Sequence, residues 1–355
     1  MTSLANIGAI ESKPNATLSI HEFIARMPKA ELHVHIEGTL EADMKFEFAS
    51  RNGVHLPYQS AEDMRAAYIY HDLPSFLRVL YEGRFVLITE QDFYDLCYAY
   101  LKKVHSQNVI YAEIFFDPQQ HTARGVAFET IIMGLHRASV DAEVEFGIES
   151  QFIMCFLREL SAESAMETLL SALPYKDWIV GVGLDSDEAD NPPSKFVEVF
   201  AFARTEGFKL TMHCDVNIRG THQHIGQALD LIGVDRVDHG VNALDEAELI
   251  ARAKALAMTF TLCPYANEVV MPGQKQYPVR RMLDLGLQVT VNSDDPAYMR
   301  DHYLIENFEL AQREAGLSKS DLLKLSENAF AAAWIPEGKR QVFLAELTAF
   351  ATKQL

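Results

Sequence analysis

Basic patches, long apolar runs and paired cysteines are all missing from this chain of 355 residues, and each absence removes a class of function. Lys and Arg number 31 against 50 Asp and Glu, a formal net charge of −19. No Lys/Arg cluster interrupts that acidity, so a surface that holds nucleic-acid phosphates by counterion release is not expected. No stretch of about 18 uninterrupted apolar residues occurs, so no membrane-crossing helix is expected. Residues 1–17 carry neither a cationic n-region nor an apolar h-region, and a soluble cytoplasmic protein is the expectation. The four cysteines, Cys97, Cys155, Cys214 and Cys263, are widely spaced and contain no C-x-x-C pair. A disulfide framework and a thiolate zinc site are therefore both unsupported. They read as buried small hydrophobes. Cys214, beside His213, suggests a nucleophile, but the groups around it in sequence suit a hard-ligand metal site better.

The composition that remains is ordinary globular usage, 48% hydrophobic and 23% charged, which suffices for a large core. Eight short apolar runs, at 31–35, 109–115, 145–154, 179–184, 209–213, 237–238, 257–262 and 287–292, alternate with helical periodicities. The helical stretches are 91–105, 128–140, 162–173, 194–206, 222–231, 246–254 and 279–285. Alternation of this kind predicts parallel strands joined by crossover helices. Eight such units predict an α/β fold, a (β/α)8 TIM barrel in a single domain spanning 1–355. Residues 1–27 form an N-terminal extension. The segment 36–108 is too long for a crossover and contains helical patterns at 40–51 and 75–80, which predicts a helical insertion over the barrel mouth. Helices are also expected at 319–330 and 339–350, closing the chain.

Polar groups stand where several of these strands stop. His33-Val34-His35 ends the first, and at i and i+2 of a strand the two imidazoles point the same way. His213 ends the fifth, His239 follows the sixth, and Asp294-Asp295 follows the eighth. Strand C-termini of such a barrel converge on one face, so these residues can meet there. His33, His35, His213 and Asp294 would supply three nitrogens and one carboxylate to a divalent ion. That set suits one Zn2+ with a position left for water, and iron or another first-row ion is compatible with it. Zinc lowers the pKa of its water to about 7, which makes hydrolysis the natural reaction class. Each residue also has a plain reading: His213 as a core histidine, His239 as a strand cap, Asp294-Asp295 as an Asx turn before Pro296. Two adjacent carboxylates can divide the work, one holding metal and the next touching substrate, while His239 moves protons.

From about Met27 to Trp334 the chain resembles the adenosine/adenine deaminase family of the amidohydrolase superfamily. The residues that carry the likeness are Glu31-Leu32-His33-Val34-His35-Ile36-Glu37-Gly38, Val237-Asp238-His239-Gly240, Leu262-Cys263-Pro264 and Val291-Asn292-Ser293-Asp294-Asp295-Pro296. The resemblance implies that His33, His35, His213 and Asp294 are zinc ligands, that His239 assists the nucleophile and that Asp295 contacts the purine. Within the family, Phe115-Phe116-Asp117-Pro118-Gln119-Gln120-His121-Thr122 and Gly183-Leu184-Asp185-Ser186 look more like the adenine branch. Gly183 would then belong to the substrate site. A free purine has an N–H at N9 or N7 that Glu188 can accept, unless Glu188 is a solvated loop acid. Glu37 either shapes the site or caps the helix that follows. Many binuclear amidohydrolases bridge two metals with a modified lysine at the end of the fourth strand, and none stands there, so one metal is expected.

One departure matters. Members of the family usually read His-Ala-Gly-Glu after the fifth strand, with the glutamate protonating the ring nitrogen, whereas this chain reads His213-Cys214-Asp215-Val216-Asn217. Asp215 is the nearest carboxylate and becomes the candidate acid. The expected activity is zinc-dependent deamination at C6 of adenine or an N6-substituted adenine. Adenosine deamination and a catalytically idle purine-binding protein are the alternatives. The acidic surface neither requires nor excludes a homo-oligomer.

Overall fold

The computed structural model describes residues 18–214, 221–270 and 278–354. Eight parallel strands lie in sequential order: β1 Lys29–His35, β2 Val109–Phe116, β3 Glu149–Leu157, β4 Ile179–Asp185, β5 Lys209–Cys214, β6 Arg236–His239, β7 Thr259–Leu262 and β8 Gln288–Val291. The expected α/β barrel is what the chain forms. Its strands are buried on both faces by side chains and surrounding helices, as parallel sheets require. Closure between β8 and β1 is made by side chains as much as by backbone. Asn292 Oδ1 accepts from Leu32 N at 2.9 Å. A single bridge pairs Val34 with Asp294. His35 N donates to Asp294 O at 2.9 Å and Asp294 N to His33 O at 3.1 Å. The residue that aims a carboxylate into the barrel mouth therefore also seals the barrel.

Helices run between the strands in chain order, beginning with α1 (Ile20–Arg26) ahead of β1. This helix was not expected, although its signal is present: Ser19 and Glu22 form a reciprocal capping box. Between β1 and β2 lie α2 (Ala42–Asn52), α3 (Ala61–Ala66), α4 (Leu73–Gly83) and α5 (Glu90–Ser106), which make up the insertion at 36–108. After β2 come α6 (Pro118–Thr122) and α7 (Phe128–Phe146). The third strand was expected from residue 145, but α7 continues to Phe146 and stops where Gly147 adopts φ 72°. A left-handed C-terminal glycine overrides the β-branched pattern around it.

The later crossovers are α8 (Ala162–Ala172), α9 (Val197–Thr205), α10 (His222–Gln227), α11 (Ala247–Ala255), α12 (Pro264–Val270) and α13 (Pro278–Asp284). Three helices rather than two then close the chain: α14 (Leu304–Ala315), α15 (Lys319–Ala332) and α16 (Glu337–Gln354). The unanticipated α14 buries Leu304, Phe308, Leu310 and Ala311 and ends at left-handed Gly316. Among the described residues no helix is long and apolar enough to cross a membrane.

The insertion determines what the barrel mouth looks like. Leu73, Phe76 and Leu80 recur at helical spacing and are buried on one face of α4, against Cys263, Ala266, Tyr298 and Met299 beyond β7 and β8. Each such side chain removed from water contributes about 1.5–3 kcal/mol, which fastens the helix across the mouth. Asp72 caps its N-terminus through Ser75. Arg51 and Asn52 of α2 donate to the carboxylate of Asp92 on α5, tying the two ends of the insertion together.

Candidate metal centre and active site

Four buried donors converge at the C-terminal end of the barrel. His33 and His35 come from β1, His213 from β5 and Asp294 from the turn after β8, with their ligand atoms all within 4.8 Å of one another. His33 Nε2 lies 3.2 Å from Asp294 Oδ1. His35 Nε2 lies 3.5 Å from the same oxygen. His35 Nε2 and His213 Nε2 face each other at 3.0 Å. The first strand is bulged, with two residues between Glu31 and Val34 opposing one on β2, yet both imidazoles still enter the mouth.

The other ring nitrogens explain why these imidazoles present lone pairs. Thr211 Oγ1 and Thr261 Oγ1 donate to the two oxygens of Asp238, at 2.7 and 2.8 Å. With its proton spent on Asp238, Thr261 Oγ1 accepts from His33 Nδ1 at 2.8 Å. In the neutral ring the lone pair then falls on Nε2, which is buried and faces Asp294 Oδ1. His213 Nδ1 stands 3.5 Å from Asp238 Oδ2, and His35 Nδ1 stands 3.5 Å from Asp185 Oδ2. A carboxylate or hydroxyl behind each ring is the usual way to orient a ligating histidine. Burial pushes His35 down to about 3 and also lowers His213, where the neighbouring imidazoles add to the effect. Burial by itself would raise Asp294, but His33, His239 and His35 hold its carboxyl well below the usual range. Three imidazoles around one carboxylate form a donor set that fits a divalent cation.

Two further groupings overlap this one among the described residues: His33, His239, Cys263 and Asp294, and His35, Asp117 and Asp185. The first depends on a thiol that burial pushes far above its ordinary range. The second depends on Asp117, already paired at 2.7 Å with Arg84. Neither matches the set of three imidazoles and one carboxylate.

Beside the ligands stand His239 and Asp295. His239 Nε2 is 3.7 Å from Asp294 Oδ2, and burial lowers its imidazole to about 4. Burial, and then the charge of Asp294, push the Asp295 carboxyl up. Its Oδ1 is buried without a partner. His239 and Asp294 have φ of 59° and 66°, a region that costs a non-glycine residue about 1–3 kcal/mol and that clusters at functional sites. Gly38 makes the close approach of Asp295 possible, since a Cβ there would lie 2.0 Å from Asp295 Oδ1 and 2.6 Å from its Cα.

The cleft above these groups is walled by α4 through Leu73, Phe76, Leu77 and Leu80, and by Met299 and Ala266. Its polar lining includes Tyr81, Arg84, Asp117, Asp185 and Ser186, none of which was singled out as a site residue from sequence. Arg84 lies one residue beyond α4 and reaches inward from the insertion to Asp117. Burial, and then Asp117, push the Asp185 carboxyl up, while burial lifts Asp117 to about 6 against the pull of Arg84. The only signal for the apolar part of this wall was the helical spacing of 73, 76, 77 and 80. Nothing in sequence linked Arg84 to a carboxylate 33 residues away.

Three expected residues stand apart from the cleft lining. Glu188 is buried with Oε1 2.5 Å from His224 Nδ1. Glu37 caps no helix: its Oε1 accepts from Asp117 N and faces His121 Nε2, both at 3.0 Å. Gly183 faces the barrel interior, where a Cβ would lie 2.6 Å from Cys155 Sγ. Asp215 lies outside the described residues. Cys214 is buried in the core, next along β5 from His213.

The family model described as adenosine deaminase matches residues 28–350. The chain is 55% identical over 333 residues to an uncharacterized deaminase of Schizosaccharomyces pombe, covering 94% of this chain and 98% of that one. It is 48% identical to an adenine deaminase of Psychrobacter cryohalolentis, covering 91% and 97%. The crystal structure of an adenine deaminase from Arthrobacter aurescens superposes with a TM-score of 0.88 at 39% identity, covering 92% of this chain and 99% of that one. Sequence and fold agree over nearly the whole chain, which belongs to the adenosine deaminase family, on the adenine-type branch of these metal-dependent aminohydrolases.

Proposed function

We propose that the cleft deaminates a 6-aminopurine base in the cytoplasm. Water replaces the substituent at C6 of adenine or an N6-substituted adenine, giving hypoxanthine and ammonia or the corresponding amine. The observation that carries this reading is the convergence of three imidazole Nε2 atoms and Asp294 Oδ1, with a hydrogen-bond acceptor set behind each ring. His33, His35, His213 and Asp294 would hold one zinc ion, which supplies a water acidic enough to attack at neutral pH.

The chain's own residues do the rest. His239 orients the attacking water and carries its proton, and Asp295 hydrogen-bonds the purine ring. Asp215 protonates N1, making C6 electrophilic, a contribution of about 10²–10⁴-fold for a positioned acid. Glu188, set back from the cleft lining beside His224, would have to turn toward the base to accept its N–H and so disfavour a ribosylated purine. Glu37 and Gly183 act at one remove, Glu37 by holding Asp117 and His121, Gly183 through its packing on Cys155. Kinship with adenine deaminases supports the free base as substrate. The apolar face of α4 gives an N6-alkyl group somewhere to sit.

Metal-loaded protein should release ammonia from adenine or methylamine from N6-methyladenine, and leave adenosine largely untouched. Absence of turnover on either base at full metal occupancy overturns the assignment; preferential turnover of adenosine overturns the choice of free base.

A further inference from the structure

Behind α4, on the face turned away from the cleft, the insertion encloses a second cavity of about 460 Å³. Leu73, Phe76, Leu77 and Leu80 face the catalytic side, whereas Val79, Glu82 and Gly83 line the rear cavity. Its walls include Tyr58, Tyr68 and Phe85, and at its floor lies Lys45. This volume falls in the range of small-molecule pockets, about 300–1,000 Å³.

Lys45 is the feature that the rest of the fold leaves unexplained. Its side chain is 1% exposed. The amine donates to Tyr68 Oη at 2.6 Å and sits 3.9 Å from the ring centroid of Tyr298. Among the described residues no carboxylate pairs with it. Buried lysines are almost always paired, because an isolated ammonium loses its hydration without compensation. The faces of Tyr298 and Tyr68 recover part of that loss. Gly83 keeps the slot open, since a Cβ there would lie 2.8 Å from Lys45 Nζ and 2.3 Å from Tyr298 Oη. Burial, and then the Arg84 guanidinium, hold the amine well below the ordinary lysine range. A counter-anion would raise it again.

We propose that this rear cavity is a second ligand site, distinct from the catalytic cleft, that takes a small aromatic carboxylate with Lys45 as its counter-charge. The aromatic walls favour a flat apolar body, and the single buried amine, charged once an anion sits beside it, matches a single negative charge. A dianion is disfavoured because Glu82 stands on the exposed rim and no second basic side chain other than the rim imidazole of His55 lines the cavity. A ligand seated there lies one helix away from the substrate.

Titration calorimetry on the metal-loaded full chain, with benzoate as probe and benzamide as its neutral counterpart, tests this. Benzoate should bind more tightly than benzamide or phenyl phosphate. Lys45→Met should weaken benzoate by roughly tenfold or more, the loss expected for one charge-assisted hydrogen bond. Val79→Trp, which fills the cavity from α4, should abolish the same binding and carries the test if Lys45→Met does not fold. Benzoate affinity unchanged in both variants places the carboxylate at the metal and overturns the proposal. Equal affinity for benzamide, or tighter binding of phenyl phosphate, overturns it as well.

Discussion

The Thr261 hydroxyl lies 2.8 Å from Nδ1 of His33 and, because its own proton goes to Asp238, holds that ring as the Nδ1–H tautomer. The lone pair at Nε2 is therefore aimed at the metal centre before any ion arrives. Thr261→Val keeps the volume and removes the acceptor. Metal affinity should fall about 10–100-fold, as for other groups that orient ligating histidines, while the thermal midpoint of the metal-loaded protein changes little. Competition against a chelator measures it, and wild-type affinity in the variant would show that His33 needs no such lock.

Gly38 and Gly53 offer a controlled comparison. An alanine at Gly38 meets the backbone of Asp295 at 2.6 Å, an atom that cannot rotate away, so the Asp294-Asp295 turn must shift. A displacement near 1 Å at such a site costs about 10²-fold in rate. Gly53 ends α2 with φ 65° in open space, and alanine there carries only backbone strain of about 1 kcal/mol. Steady-state kinetics should show a large kcat loss for Gly38→Ala and none for Gly53→Ala; similar kcat values for the two would remove Gly38 from the site's architecture.

Arg84 and Asp117 are each 2% exposed and joined at 2.7 Å. Removing one partner of a buried pair leaves an uncompensated charge, at a cost of about 3–5 kcal/mol. Arg84→Met should show that loss in chemical denaturation. Arg84→Met combined with Asp117→Leu should be more stable than the sum of the two single changes implies. Strict additivity would mean that the two side chains do not act as a pair.

The acid limb of the stability profile should depend on Asp92. Burial by itself would raise its carboxyl, but N–H groups of Thr89 and Ile88 and the side chains of Arg51 and Asn52 hold it below the ordinary range. A carboxylate whose folded value is depressed binds fewer protons folded than unfolded. Its contribution is present above the unfolded value of about 3.9 and is lost as pH falls through the folded one. Asp92→Asn should cost about 1–3 kcal/mol at neutral pH, and the gap from wild type should close below about pH 4. Denaturation at neutral and acid pH gives the answer; a constant gap assigns the loss to packing instead.

Much of the barrel is legible in the chain because alternation of short apolar runs with helical periods is a local pattern. The errors are local too. Residues 145–146 look like strand but belong to α7, because Gly147 and not Val140 supplies the helix stop. The helix α14 was passed over although its apolar spacing and Gly316 are both present. At the metal centre, His33, His35, His213 and Asp294 can be picked out as strand-end polar groups. The threonines and Asp238 behind them carry no such mark. Inward-facing Thr211, Thr261 and Asp238 read as ordinary strand residues until three strands are brought side by side.

Fold class, the candidate donor types for a divalent ion and the acidic charge balance can all be read from the chain alone, because strand period, ligand chemistry and net charge need no knowledge of distant neighbours. Which nitrogen of each histidine faces the centre, why Gly38 must lack a side chain, and that Arg84 of the insertion lines the cleft are legible only in three dimensions. Those outcomes rest on hydrogen bonds and contacts between residues far apart in the chain, such as His33 and Thr261, 228 positions distant, and no local pattern records them.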